Sequence, residues 1–210
     1  MEAALIRPLG ESAMLLEITG TAAVERAAVL AARLRTSPPA GVLDAAAAHE
    51  AVAVYFDPLA GGATHLSSTL LRIATEDTAV ETAPPASHLI PVVYDGVDLD
   101  AVVERTGLTR ALVAELHSSI EYTVHAVGFV PGFAYLGELD ELLRIPRRDT
   151  PRGRVPAGAV AIAGLHTAVY PLITPGGWHL IGRTNVQMFD AARAPPALLA
   201  AGDRVRFTAQ

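Results

Sequence analysis

The chain has 210 residues, 51% of them apolar and 18% charged, which suits a folded protein of one large or two small domains and excludes a disordered segment. Its net charge of -6 argues against a dedicated nucleic-acid binder, and no apolar run approaches the ~20 residues of a spanning helix. There is no cysteine and all sixteen cations are arginine, so thiolate chemistry, cysteine-held metal, a Walker-type lysine loop and lysine Schiff bases are excluded.

The opening, MEAALIRPLGESAMLLEITG, lacks the basic flank and long apolar centre of a signal peptide, so a cytoplasmic location is expected. Residues 4–6 and 14–16 are apolar runs flanking the turn Gly10-Glu11-Ser12, which predicts paired strands. The Ala- and Leu-rich run at 21–35 predicts a helix that Ser37-Pro38-Pro39 ends. Strands are expected at 42–46 and 51–56, and a second helix at 65–75. Two strands, a helix, two strands and a helix describe a small α/β domain. The polar, proline-containing stretch at 78–87, TAVETAPPAS, reads as a linker, giving domains 1–85 and 86–210.

A strand at 89–93 should open the second domain, followed by helices at 99–105 and 109–117, with Gly107 ending the first. Beyond residue 117, Gly and Pro recur every few residues between short apolar runs such as 159–163 and 178–181. Long helices cannot survive that punctuation, whereas short strands in a compact β-barrel can. The expected fold class is therefore α+β.

Three stretches carry chemical information. The first, GFVPGFAYL at 128–136, projects Phe129, Phe133 and Tyr135 from a path stiffened by Gly128, Pro131 and Gly132, in a chain with only five Phe, five Tyr and one Trp. It is either a binding wall or a core loop whose rings fill the barrel mouth. The second, PRRDTPRGRVPAG at 146–158, holds Arg147, Arg148, Arg152 and Arg154 on a proline-braced loop. Guanidinium groups bind carboxylates and phosphates bidentately; the alternative is a solvated basic loop. The third, YPLITPGGW at 170–178, demands a tight turn at Pro175-Gly176-Gly177 before the single tryptophan. Its glycine amides either bind an anion or serve the turn alone.

Among the histidines, His117, His125, His166 and His179 make no tight metal-ligand spacing, so no metal cage is expected in this chain. His117 follows a helix and precedes the aromatic loop, where it is either an acid/base group or a helix C-cap. There is no GxSxG elbow and no dinucleotide fingerprint.

The order of these motifs, from ELHSSIEYTVHAVGFVPGFAYLGELDELLRIPRRDTPRGRVPAGAVAIAG through YPLITPGGWHLIGRT to PPALLAAGDRVRF, resembles the family called allophanate hydrolase subunit 1. That family takes in the B-type subunit of 5-oxoprolinase and the sporulation kinase inhibitor KipI. The resemblance covers residues 88–210, and GESAMLLEI at 10–18 extends it to the N-terminal part. It implies a small α/β N-terminal domain and a cyclophilin-like β-barrel domain. It also implies a C-type partner, similar to allophanate hydrolase subunit 2, and a third, A-type component. Together these form a complex that opens 5-oxoproline to glutamate using ATP with magnesium. On that resemblance His117 is the proton-transfer group and Arg152 a catalytic anion-binding cation. Phe129, Pro131, Phe133, Tyr135 and Tyr170 would face substrate, with Arg183 and the backbone at Gly158, Gly176 and Gly177; Arg147 and Arg148, outside the matched positions, are further cations able to bind its carboxylate or the phosphates of ATP. The family also implies a rival reading, a regulator that binds a sensor histidine kinase as KipI does; prolyl isomerase activity is a third, resting on fold alone. Three positions depart from the family pattern: Ala159 where Ser is common, His166 where Gln is common and Asn185 where Pro is common.

Overall fold

A computed structural model describes residues 4–60, 63–75 and 85–210. The chain divides into two units, Met1–Pro84 and Pro85–Gln210. Most of the expected linker lies outside the described residues, and its last residue, Ser87, begins a strand.

In the first unit β1 (Ala4–Pro8), β2 (Ala13–Ile18), β3 (Val42–Ala48) and β4 (Ala51–Phe56) form an antiparallel sheet in the order β1-β2-β4-β3. Alternation along β4 sends Val52, Val54 and Phe56 to one face, where Leu16 and Ile18 of β2 join them. Helix α1 (Ala23–Thr36) covers that face with Ala23, Ala27, Leu30, Ala31 and Leu34, a stripe at helical spacing. Leu66 and Leu70 of α2 (Ala63–Thr75) complete the core.

The second unit opens with β5 (Ser87–Val92), α3 (Leu99–Thr106) and α4 (Arg110–Ser119). Gly107 ends α3 at φ 73°, its amide 2.9 Å from the Val103 carbonyl, and Thr109 caps α4 by accepting the Leu112 amide. The strands that follow are β6 (Glu121–Val127), β7 (Ala134–Gly137), β8 (Arg152–Val155), β9 (Ala159–Ala163), β10 (His166–Val169), β11 (Thr174–Gly176), β12 (His179–Arg183) and β13 (Arg204–Ala209). Their main sheet runs β5-β13-β6-β7-β10-β9-β12, antiparallel except for the β5–β13 pair. Strands β8 and β11 form a separate ribbon. At the ends of the sheet path Val93 and Arg183 exchange two backbone hydrogen bonds of 2.9 Å. The architecture is α+β, mostly antiparallel sheet with a few helices.

Strand β9 is buried on both faces and separates two cores. Val160 and Ile162 join Val102, Val113, Leu136 and Phe207 in the larger one. Ala159, Ala161 and Ala163 face Phe133, Tyr170 and Trp178 in the smaller one. Alanine on that face leaves room for the rings of Phe133, Tyr170 and Trp178. No helix of the described residues is long and apolar enough to cross a membrane.

Candidate functional site

The loop joining β6 to β7 is fixed by its own backbone. The Gly128 amide bonds the Phe133 carbonyl at 3.0 Å, and the Phe133 amide bonds the Val130 carbonyl at 3.0 Å. Gly132 sits at φ 80°, where a Cβ would stand 2.7 Å from that of Phe189, so only glycine fits. Phe129 holds a left-handed φ of 72° and is 61% exposed. Strain of this kind persists only where the surroundings enforce it.

Phe133 is the hub of an aromatic cluster. Its centroid lies 5.0 Å from Tyr135, 5.2 Å from Tyr170, 5.5 Å from Phe129 and 5.6 Å from Trp178, all edge-on. These five rings wall a cavity of about 320 Å³, closed by Arg147, Pro151 and the turn at 174–177. Gly176 makes the Tyr170 wall possible, since a Cβ there would meet the Tyr170 hydroxyl at 2.2 Å. Burial pushes that hydroxyl's pKa up, against a backbone hydrogen bond from Trp178 and the Arg147 charge. Arg147 is exposed at the cavity and has no acidic partner among the described residues.

The structure thus gathers Phe129, Phe133, Tyr135, Arg147, Tyr170, Gly176 and Gly177 at one cavity, and adds Pro151, Thr174 and Trp178. The other expected site residues lie elsewhere. Pro131 is exposed on the loop and does not line the cavity. Gly158 ties strands together, its amide bonding the Tyr170 carbonyl and its carbonyl the Thr184 amide, each at 2.8 Å. Arg183 forms an exposed ion pair with Asp95 at 2.9 Å.

Arg148 and Arg152 turn away from the cavity onto one buried carboxylate. Asp98 Oδ1 accepts from Arg148 Nη1 at 2.7 Å and from Arg152 Nη2 at 2.5 Å, while Oδ2 accepts the Leu180 amide at 2.8 Å. Burial raises the Asp98 pKa, but the Arg152 hydrogen bond, the Leu180 amide and the two guanidinium charges outweigh it and hold the carboxyl below its ordinary range. The two arginines brace the 146–152 loop against α3 instead of offering free charge at the aromatic cavity. Asp98 escaped the sequence reading, although its place immediately before α3 was a signal.

His117 is 0% exposed. Its Nδ1 is 2.8 Å from the Tyr94 hydroxyl and its Nε2 2.7 Å from Thr167 Oγ1. The Thr167 hydroxyl donates to the Ala161 carbonyl, so it accepts the Nε2 proton, and Nδ1 accepts from Tyr94. Burial lowers the ring's pKa from 6.5 to about 3. Phe207 packs 4.5 Å from it, and the Tyr122 hydroxyl donates to its carbonyl. Of the two roles open to His117, proton transfer has no surface to act through; the ring is a neutral, satisfied core group.

The cavity's donor set does not fit a nucleoside triphosphate with magnesium. Arg147 is the one cation among its lining residues, and no carboxylate lines it. Its single guanidinium can pair with one anionic group.

The sequence profile of the carboxyltransferase domain, subdomain C and D, matches residues 4–199. The chain belongs to this family. Its relatives carry the name to which the motif order points. This carboxyltransferase-domain chain is 54% identical over 135 residues to the B-type subunit of 5-oxoprolinase from Escherichia coli O157:H7, covering 62% of each chain. It is 46% identical over 121 residues to the corresponding 5-oxoprolinase subunit of Bacillus subtilis, covering 56% of this chain and 50% of that one. The matched regions thus span between half and two thirds of these relatives. Among solved structures, that of TTHA0988 superposes with a TM-score of 0.83 at 39% identity, covering 98% of this chain and 40% of that one.

Proposed function

We propose that this chain is the B-type subunit of an ATP-dependent 5-oxoprolinase complex acting on a small lactam or amide, at a site completed by a C-type partner. The observation that carries the reading is the aromatic cavity with one unpaired guanidinium, Arg147, at its edge. A five-membered lactam ring can lie against the faces of Phe129, Tyr135 and Trp178, while its carboxylate pairs with Arg147. Identity to chains named as this 5-oxoprolinase component supports the choice of substrate class. In TTHA0988 the matching region is 40% of a longer polypeptide, which supports a partner segment working beside it.

Because the cavity does not fit the nucleotide, ATP and magnesium would be held by the assembled complex. When bound, ATP would supply the phosphoryl group that activates the amide; this chain's residues bind and orient the ring and exclude water from it. We read the second unit as a cyclophilin-like barrel, supported by its seven-strand path and by the Val93–Arg183 bridge where the path ends meet.

Coexpression with the A- and C-type subunits, followed by an assay of 5-oxoproline-dependent ATP hydrolysis, tests the proposal. A stable heteromer whose ATP turnover depends on 5-oxoproline is expected. A chain that ignores those subunits and instead inhibits a sensor histidine kinase would overturn it.

A further inference from the structure

A second cavity, of about 200 Å³, lies between α3, the 148–150 stretch and the start of β12. Ala101 and Arg105, four residues apart on α3, wall one side, and Arg148, Asp149, Thr150 and His179 complete it. His179 is 1% exposed. Its Nε2 lies 3.1 Å from the Pro146 carbonyl, which can only accept, so Nε2 carries the ring proton. The other nitrogen, Nδ1, is buried without a partner, and so is Nε of Arg148. Burying polar nitrogens unpaired is costly, and such groups are rare unless something else satisfies them.

The two orphaned atoms ask for opposite things. Arg148 Nε has a hydrogen to give, whereas Nδ1 of a neutral His179 has a lone pair and needs one. Burial holds the His179 pKa below its usual range; the Pro146 hydrogen bond and the Asp98 charge oppose this, and the Arg105 and Arg148 charges reinforce it. The ring is therefore neutral at pH 7. Arg105 adds an exposed cation and Asp149 an exposed acceptor among the lining residues.

From this lining we infer that the cavity binds a small oxyanion that keeps one O–H at neutral pH, the class of hydrogenphosphate and bicarbonate. Arg105 and Arg148 meet the negative oxygens, and the remaining O–H donates to His179 Nδ1. Sulfate has the size and charge of hydrogenphosphate but no proton left to give. It would set its oxygens against the Nδ1 lone pair and the Asp149 carboxylate. This site is distinct from the aromatic cavity, and the inference stands whether or not the 5-oxoprolinase reading does.

Calorimetric titration of the full chain at pH 7 with inorganic phosphate, bicarbonate and sulfate, at matched ionic strength, tests the inference. Phosphate or bicarbonate should bind at least about tenfold more tightly than sulfate, the order expected for one charge-assisted hydrogen bond. Comparing the first two shows whether the site prefers a tetrahedral or a planar anion. His179→Gln keeps an N–H for the Pro146 carbonyl but lacks the Nδ1 lone pair, and should bring phosphate down to the level of sulfate. Arg105→Gln, at an exposed position that leaves folding intact, should weaken the preferred anion by about tenfold. Absence of anion binding, sulfate binding as tightly as phosphate and bicarbonate, or wild-type affinity in Arg105→Gln would each overturn the site. If His179→Gln fails to fold, the wild-type anion ratio and Arg105→Gln decide.

Discussion

At the scale of single residues, Arg148 and Arg152 show how far a side chain's role depends on what folds against it. Both look in the sequence like free cations on a braced loop, yet both pair with Asp98, whose carboxylate also takes the Leu180 amide. Removing that carboxylate leaves two partly buried guanidinium groups uncompensated, so Asp98→Asn should cost about 3–5 kcal/mol at pH 7. The Asp98 carboxyl has a lower pKa folded than unfolded, so its contribution is fully present above the ordinary carboxylate pKa of about 4. It is lost as pH falls through the lower folded value. The gap in melting temperature between wild type and Asp98→Asn should therefore be wide at neutral pH and close in strong acid. A gap that persists unchanged into strong acid would remove Asp98 as the charged hub. Arg152 belongs to this bracing, so under the proposed function the anion contact expected of it falls to Arg147.

At the scale of elements, the β8–β11 ribbon and the β6–β7 loop form the walls of the aromatic cavity, and each depends on a glycine at a close approach. Gly176→Ala would drive a methyl group into the Tyr170 hydroxyl. It should lower stability by about 1–3 kcal/mol, the usual cost of overpacking, and displace the Tyr170 ring from the cavity. Denaturant unfolding with near-ultraviolet circular dichroism would read both effects; unchanged spectra and stability would mean that the wall is soft. Much of this was legible in the sequence, because its signals are local. The helix boundaries at Gly107 and Thr109, the alternation along β4 and the aromatic spacing of the 128–136 loop all lie within a few residues of what they determine. What stayed hidden depends on distant partners. Asp98 meets Arg148 and Arg152 50 and 54 positions away, and His117 meets Thr167 50 positions away. No local pattern distinguishes a histidine sealed between Tyr94, Thr167 and Phe207 from one that faces a ligand. The departure at Ala159 is explained by its place on the crowded face of β9, beside Phe133 and Trp178.

At the scale of the whole molecule, the chain joins a small α/β unit to a larger, mostly antiparallel one, which holds a cavity walled by aromatic rings with Arg147 at its edge. The regions matched in its curated relatives are 62% and 50% of their lengths, and the chain covers 40% of the much longer TTHA0988. The central claim is that Arg147 and the aromatic walls, with neither His117 nor Arg152, are this chain's contribution to substrate binding. The most direct measurement is the KM for 5-oxoproline of Arg147→Ala in the coexpressed complex, with melting temperature as a folding control. Loss of one charge-assisted contact should raise KM by about tenfold to a hundredfold with little change in melting temperature. A folded Arg147→Ala complex with wild-type KM and turnover would contradict the account.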